Sequence, residues 1–159
     1  MNNTQKPGRL AFRFACLGLV FGAAIHLFAY WAGPNWMTWL GAPPSIVMAR
    51  AAGGWPALAG TLLIASGLTV LALLCWIPVR GAAHRLALWA LALLFLARGL
   101  LILPYWAGLR ALHTPLGHFV IRGDSFAAGS LIVFAIGALV AGGLLGTRSQ
   151  SVTSWRADP

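Results

Sequence analysis

The sequence predicts an all-α integral membrane protein, a four-helix bundle with antiparallel up-down topology, and three observations predict it. Of its 159 residues 60% are hydrophobic and only 8% charged, against about 25% charged residues in an average soluble domain. Four apolar runs, at 14–33, 55–78, 86–106 and 125–146, are each long enough to cross a hydrocarbon core about 30 Å thick at a rise of about 1.5 Å per residue. Basic residues and aromatics fall at the ends of those runs, where a membrane protein concentrates them. The net charge of +9 is spread singly or in pairs, with no basic stripe and no stacking platform, so nucleic acid is excluded as a partner and the lipid bilayer takes its place.

The chain opens on a basic tail, residues 1–13, with Lys6, Arg9 and Arg13. Helix one follows at 14–33. It is longer than a signal-peptide core, contains His26 and lacks a clean A-x-A site, so it is expected to be retained. Gly18, Gly22, His26 and Tyr30 stand four apart and form one slowly drifting row, which begins with a small-xxx-small pair suited to close helix contact.

Residues 34–54 contain Pro34, Pro43, Pro44 and several glycines, punctuation that argues against a continuous helix. Pro43-Pro44-Ser45 is placed to open a short surface helix. Helix two occupies 55–78; Gly53, Gly60 and Gly67 recur at seven and predict a small-residue packing face. The turn at 79–85 is short enough to make helices two and three antiparallel neighbours.

Helix three, 86–106, carries a single charge, Arg98, about 12 Å below Trp106 by the helical rise. A central Arg costs about 2.5–3.5 kcal/mol on insertion scales, so Arg98 is expected to face the bundle interior, polar groups or water. Tyr105, seven residues on, shares its face. The half-apolar segment 107–123, with His113 and His118, reads as an interfacial segment or a loop over the bundle mouth. Asp124 precedes helix four and has two compatible readings, an N-cap and a partner for Arg98. Helix four, 125–146, has a small row of Gly129, Val133, Gly137 and Ala141, and 147–159 is a polar tail.

Lys6, Arg9, Arg13, Arg80, Arg85, Arg148 and Arg156 lie on the side of the termini; Arg50, Arg110 and Arg122 lie opposite. Seven against three predicts that both termini are cytoplasmic. In that frame His26, Tyr30, Arg98, Tyr105 and Asp124 all fall toward the outer side and form the candidate ligand-binding group. Arg98 is read evenly as a ligand-binding residue or an internal staple; for His26 a packing role stands beside the binding one.

No metal or cofactor is expected. The His113–His118 spacing is not a same-face helical pair, His26 is the one histidine within a span, and Cys16 and Cys75 lack a C-x-x-C motif and read as small packing residues. No nucleophile and base stand together in a recognised motif, and the sequence lacks G-x-S-x-G and H-E-x-x-H. The function expected is that of a non-enzymatic binding or accessory protein for an anionic lipid, a small molecule or a partner membrane protein. The alternative is a small oligomeric carrier for an anion or metabolite, with a homo-oligomer as its working form.

His26 in helix one followed by aromatics, Gly41-Ala42-Pro43-Pro44, Arg98-Gly99 with Pro104 in helix three, and Asp124 before helix four together resemble a family of small uncharacterised bacterial four-helix membrane proteins. The resemblance covers most of the chain. It implies a bacterial inner membrane and this fold, and brings no activity with it.

Overall fold

The computed structural model describes residues 7–109, 111–114, 117–120 and 124–154, with side chains described for 8–109 and 125–146. Four helices are long and apolar enough to cross a membrane. These are α1 (Pro7–Ala32), α4 (Trp55–Trp76), α5 (Gly81–Leu100), which α6 (Ile102–Trp106) continues, and α7 (Asp124–Ser154). Two short helices, α2 (Pro34–Trp39) and α3 (Pro44–Ala51), separate α1 from α4, and a two-stranded antiparallel hairpin, β1 (Ala111–Thr114) with β2 (Gly117–Val120), precedes α7. The architecture is that of a multi-pass membrane protein with an all-α core. Its outward surface is a belt of large apolar side chains such as Phe21, Leu63 and Leu94, which in water would be an aggregation surface and in lipid is solvated.

The helices pack in the order α4, α1, α7, α5. A Cβ built on Gly146 would meet Gly8, one on Gly143 would meet the Phe12 ring, and one on Gly18 would meet Ile136. Residue numbers rise along α1 as they fall along α7, so the two are antiparallel. The bundle interior is sealed nearest the termini, where Phe12, Leu19, Cys75, Leu88, Val140 and Leu144 join one buried cluster.

Two expectations change in this packing. Despite the short turn joining them, α4 and α5 make little contact along their length, because α5 is drawn against α7 instead. Gly99 lies so close to Phe134 that a Cβ would sit 2.5 Å from that residue's Cβ, and a Cβ on Gly137 would sit 2.9 Å from the Leu96 backbone nitrogen. Close backbone approach of this kind is how small residues drive helix association in lipid. Gly60 and Gly67 do not form the packing face predicted for helix two, since a Cβ on either meets nothing within 4 Å. The buried face of α4 is built from Ala57, Thr61, Ala65, Ala72 and Cys75.

The third span is interrupted at Leu101 rather than continuous. Pro104 explains the break: it has no N–H to offer the Leu100 carbonyl, and its ring crowds that carbonyl. Arg98 therefore lies in the last turn of α5, where a cation complements the helix dipole.

The segment 34–54 folds as a cap over the α1–α4 pair. Pro34 and Pro44 open α2 and α3 as N-terminal prolines, the position where a missing donor costs nothing. Both helices end in the same way. Ala42 N–H reaches Met37 O and Gly41 N–H reaches Thr38 O; Gly54 N–H reaches Ala49 O and Gly53 N–H reaches Arg50 O. These are paired Schellman bonds, and they require the left-handed backbone seen at Gly41 (φ 83°) and Gly53 (φ 72°). At the far end of the chain the helix of α7 runs on through Ser154, past the polar boundary expected at residue 147.

Candidate functional site

The structure distributes the predicted site residues over two places. Arg98 faces α7. Its Nη1 donates to Ser130 Oγ at 3.0 Å, and its guanidinium lies 4.7 Å from the centre of the Phe126 ring. Ser130 is wholly buried, so the hydrogen bond satisfies a hydroxyl that would otherwise be stranded in the interface. Tyr105 packs its ring against the other partner, with a centroid distance of 5.8 Å to Phe126. Arg98 and Tyr105, expected on one face, thus meet around Phe126. Asp124 begins α7, two residues before Phe126; its side chain lies outside the described residues, as do those of His113 and His118.

His26 and Tyr30 go elsewhere. Among the described residues no hydrogen bond or ring contact links either of them to Arg98. The reason is the drift of their helical row, since each step of four residues advances about 40° around the axis. Gly18 faces Ile136 of α7, while Gly22 already faces Leu68 of α4. Two further steps carry His26 and Tyr30 to the side of α4 and the cap.

Tyr30 there meets Arg50, whose Nε donates to the Tyr30 carbonyl at 3.1 Å while its guanidinium lies 4.6 Å from the Tyr30 ring centre. That carbonyl is one of the last four of α1 and lacks a helical partner, so Arg50 both caps α1 and pins α3 to it.

His26 lines a partly open cavity of about 290 Å³ bounded by α1, α4 and the α2–α3 cap. Its Nδ1 stands 2.7 Å from Gly22 O. A carbonyl only accepts, so Nδ1 donates, and in the neutral ring Nε2 keeps a lone pair. Thr61 also lines the cavity, and its hydroxyl donates to Ala57 O at 2.9 Å, leaving its oxygen free to accept.

No protein-family model matches this chain, and neither does any curated protein or solved structure. Its function has to be read from its own geometry.

Ser130, Phe126 and Arg50 are the partners that sequence reasoning missed. Ser130 had a signal: apart from Ser125 at the mouth, it is the one hydroxyl of the 125–146 run. It also stands about 9 Å into α7, close to the depth of Arg98. Arg50 entered the reading only as a topological charge. Chemically, the Arg98 group is a guanidinium held by a hydroxyl and a ring face, both uncharged. It can steady an anion, and among the described residues no general base is hydrogen-bonded to the Ser130 hydroxyl.

Proposed function

We propose that this protein is a non-enzymatic binding protein of the bacterial inner membrane, with both termini cytoplasmic and a site at Arg98 that opens outward and takes an anionic group. The single observation that carries this reading is the setting of Arg98: a permanent charge at the depth of an apolar span, held by Ser130 and Phe126. A guanidinium presents five N–H donors in a fork matched to carboxylate or phosphate. Ser130 engages Nη1 alone, and the residue remains more than a third exposed. An intramembrane charge whose partners among the described residues are neutral gains from an anion that reaches it from the headgroup region. Ser130 and Phe126 fix the guanidinium plane, and Tyr105 steadies Phe126 from the side. An excess of basic residues at the terminal end supports the assigned orientation.

The test is native mass spectrometry of the detergent-purified protein with phosphatidylglycerol, phosphatidylethanolamine or inorganic phosphate. Retention of the anionic species is expected, and Arg98→Gln is expected to reduce it about tenfold, the loss of one charge-assisted contact. Lipid retained without phosphate identifies a headgroup as the ligand; phosphate retained alone identifies a small anion. If Arg98→Gln stays helical by circular dichroism and still retains the anion, the reading fails.

A further inference from the structure

The His26 cavity lies apart from Arg98, and the anion site makes no use of it. Its polar chemistry is also different. Both side chains that bring hydrogen-bonding atoms to it have already spent their protons on their own helices, His26 on Gly22 O and Thr61 on Ala57 O. Among the described residues nothing hydrogen-bonds His26 Nε2. With the His26 ring neutral, what these two lining side chains have left to offer a guest is lone pairs, on Nε2 and on the Thr61 oxygen, amid Met37, Ile46 and Ile64. An anion is repelled by such a pair of acceptors, and an aprotic hydrocarbon leaves them unmatched. The complementary guest has an apolar body and at least one O–H donor.

The size narrows the class. A cavity of about 150 Å³ holds a benzene molecule, and this one, at about 290 Å³, has room for one ring with short substituents. We infer that the cavity beneath the α2–α3 cap is a second binding site, selective for a monocyclic phenol or hydroquinone ring whose hydroxyl donates to His26 Nε2 or Thr61 Oγ1. Such a ring can arrive as a free phenol or as the headgroup of a membrane-borne quinol. The Arg50–Tyr30 contact holds the roof of the site in place.

Gly60 supplies the means of testing it. The residue lines the cavity, and a Cβ there meets nothing within 4 Å, so Gly60→Leu is the substitution chosen to fill the space. The experiment is saturation-transfer NMR of the detergent-purified protein with p-cresol, and with 4-methylanisole, which has nearly the same shape but no donor. Wild-type protein is expected to bind p-cresol saturably and 4-methylanisole about tenfold more weakly, the discrimination available from one neutral hydrogen bond. Gly60→Leu is expected to abolish both. Should that variant misfold, His26→Phe with Thr61→Val serves instead and is expected to bring p-cresol down to the level of 4-methylanisole. A hydroquinone carrying an isoprenoid chain, added in nanodiscs, distinguishes the lipid-borne source by competing with p-cresol. Equal binding of the two probes, p-cresol binding that survives Gly60→Leu, or no binding of either probe would overturn the proposal. Because neither probe is charged and Arg98 is untouched, failure here leaves the anion site standing, and the reverse also holds.

Discussion

Arg98 and Ser130 face each other across the α5–α7 interface, 3.0 Å from Nη1 to Oγ, with Ser130 inaccessible from outside. The pair joins two helices whose backbones already approach closely at Gly99 and Gly137. It is both a staple and the mount for a charge, and those roles separate energetically. Ser130→Ala removes the acceptor and leaves the guanidinium in place, at an expected cost of roughly 1 kcal/mol, typical of interhelical hydrogen bonds measured in lipid. In an Arg98→Leu background the same change should cost little, since the hydroxyl is then itself unpartnered. Reversible unfolding in mixed micelles completes the double-mutant cycle. A coupling energy near zero would mean that the hydrogen bond contributes nothing to the fold.

The same interface makes a sharper prediction about backbone approach. At Gly99 an added methyl meets Phe134 Cβ at 2.5 Å and the Phe134 backbone at 2.7 and 2.8 Å, and no rotamer change moves those atoms aside. Gly99→Ala should therefore destabilise the bundle by about 1–3 kcal/mol, the usual range for overpacking. Gly67→Ala is the control, because nothing lies within 4 Å of its Cβ. There the substitution removes only the conformational entropy of a helical glycine and should be neutral or stabilising by about 0.5–1 kcal/mol. Thermal unfolding in one detergent compares the two, and equal effects would contradict the close packing of α5 on α7.

The spans and their rough limits were legible in the sequence, because length, hydropathy and aromatic edges depend only on local composition. The Pro44 start of α3 was legible for the same reason. What escaped was rotation. Counting residues puts His26 and Arg98 at similar depths, but which neighbour each faces depends on helix order around the bundle. The drift of about 40° per step from Gly18 to His26 was visible in the spacing, yet it pointed nowhere until Gly18 was seen against α7 and Gly22 against α4. Loop length misled in a similar way. The short connection of α4 to α5 limits how far apart their ends can be and says little about their sides, whereas the Gly99 and Gly137 contacts decide which helix α5 lies along. Pro104 is visible in the sequence, and its consequence, the interruption at Leu101, follows directly from the missing N–H.

Orientation offers the last prediction, and the structure makes it straightforward to test. Antiparallel α1 and α7 bring the start of α1 and the late part of α7 together at Gly8 and Gly146, so residues 34–54 must lie at the opposite end of the bundle. Counted along the sequence, seven basic residues fall on the side of the termini against three on the other, which predicts cytoplasmic termini. The aromatic side chains Trp31, Trp36, Trp39 and Trp55 are all exposed at the opposite end, where Phe28, Trp36 and Trp39 stack edge to face. That is the arrangement of an interfacial belt. Both native cysteines, Cys16 and Cys75, are free and buried, so a single introduced thiol can be read against a quiet background. Asn35→Cys, on the exposed side of α2, is expected to react with a membrane-impermeant maleimide in intact cells, and Ser149→Cys only after lysis. Labelling of Ser149→Cys in intact cells, with Asn35→Cys protected, would reverse the topology and put the Arg98 site on the cytoplasmic face.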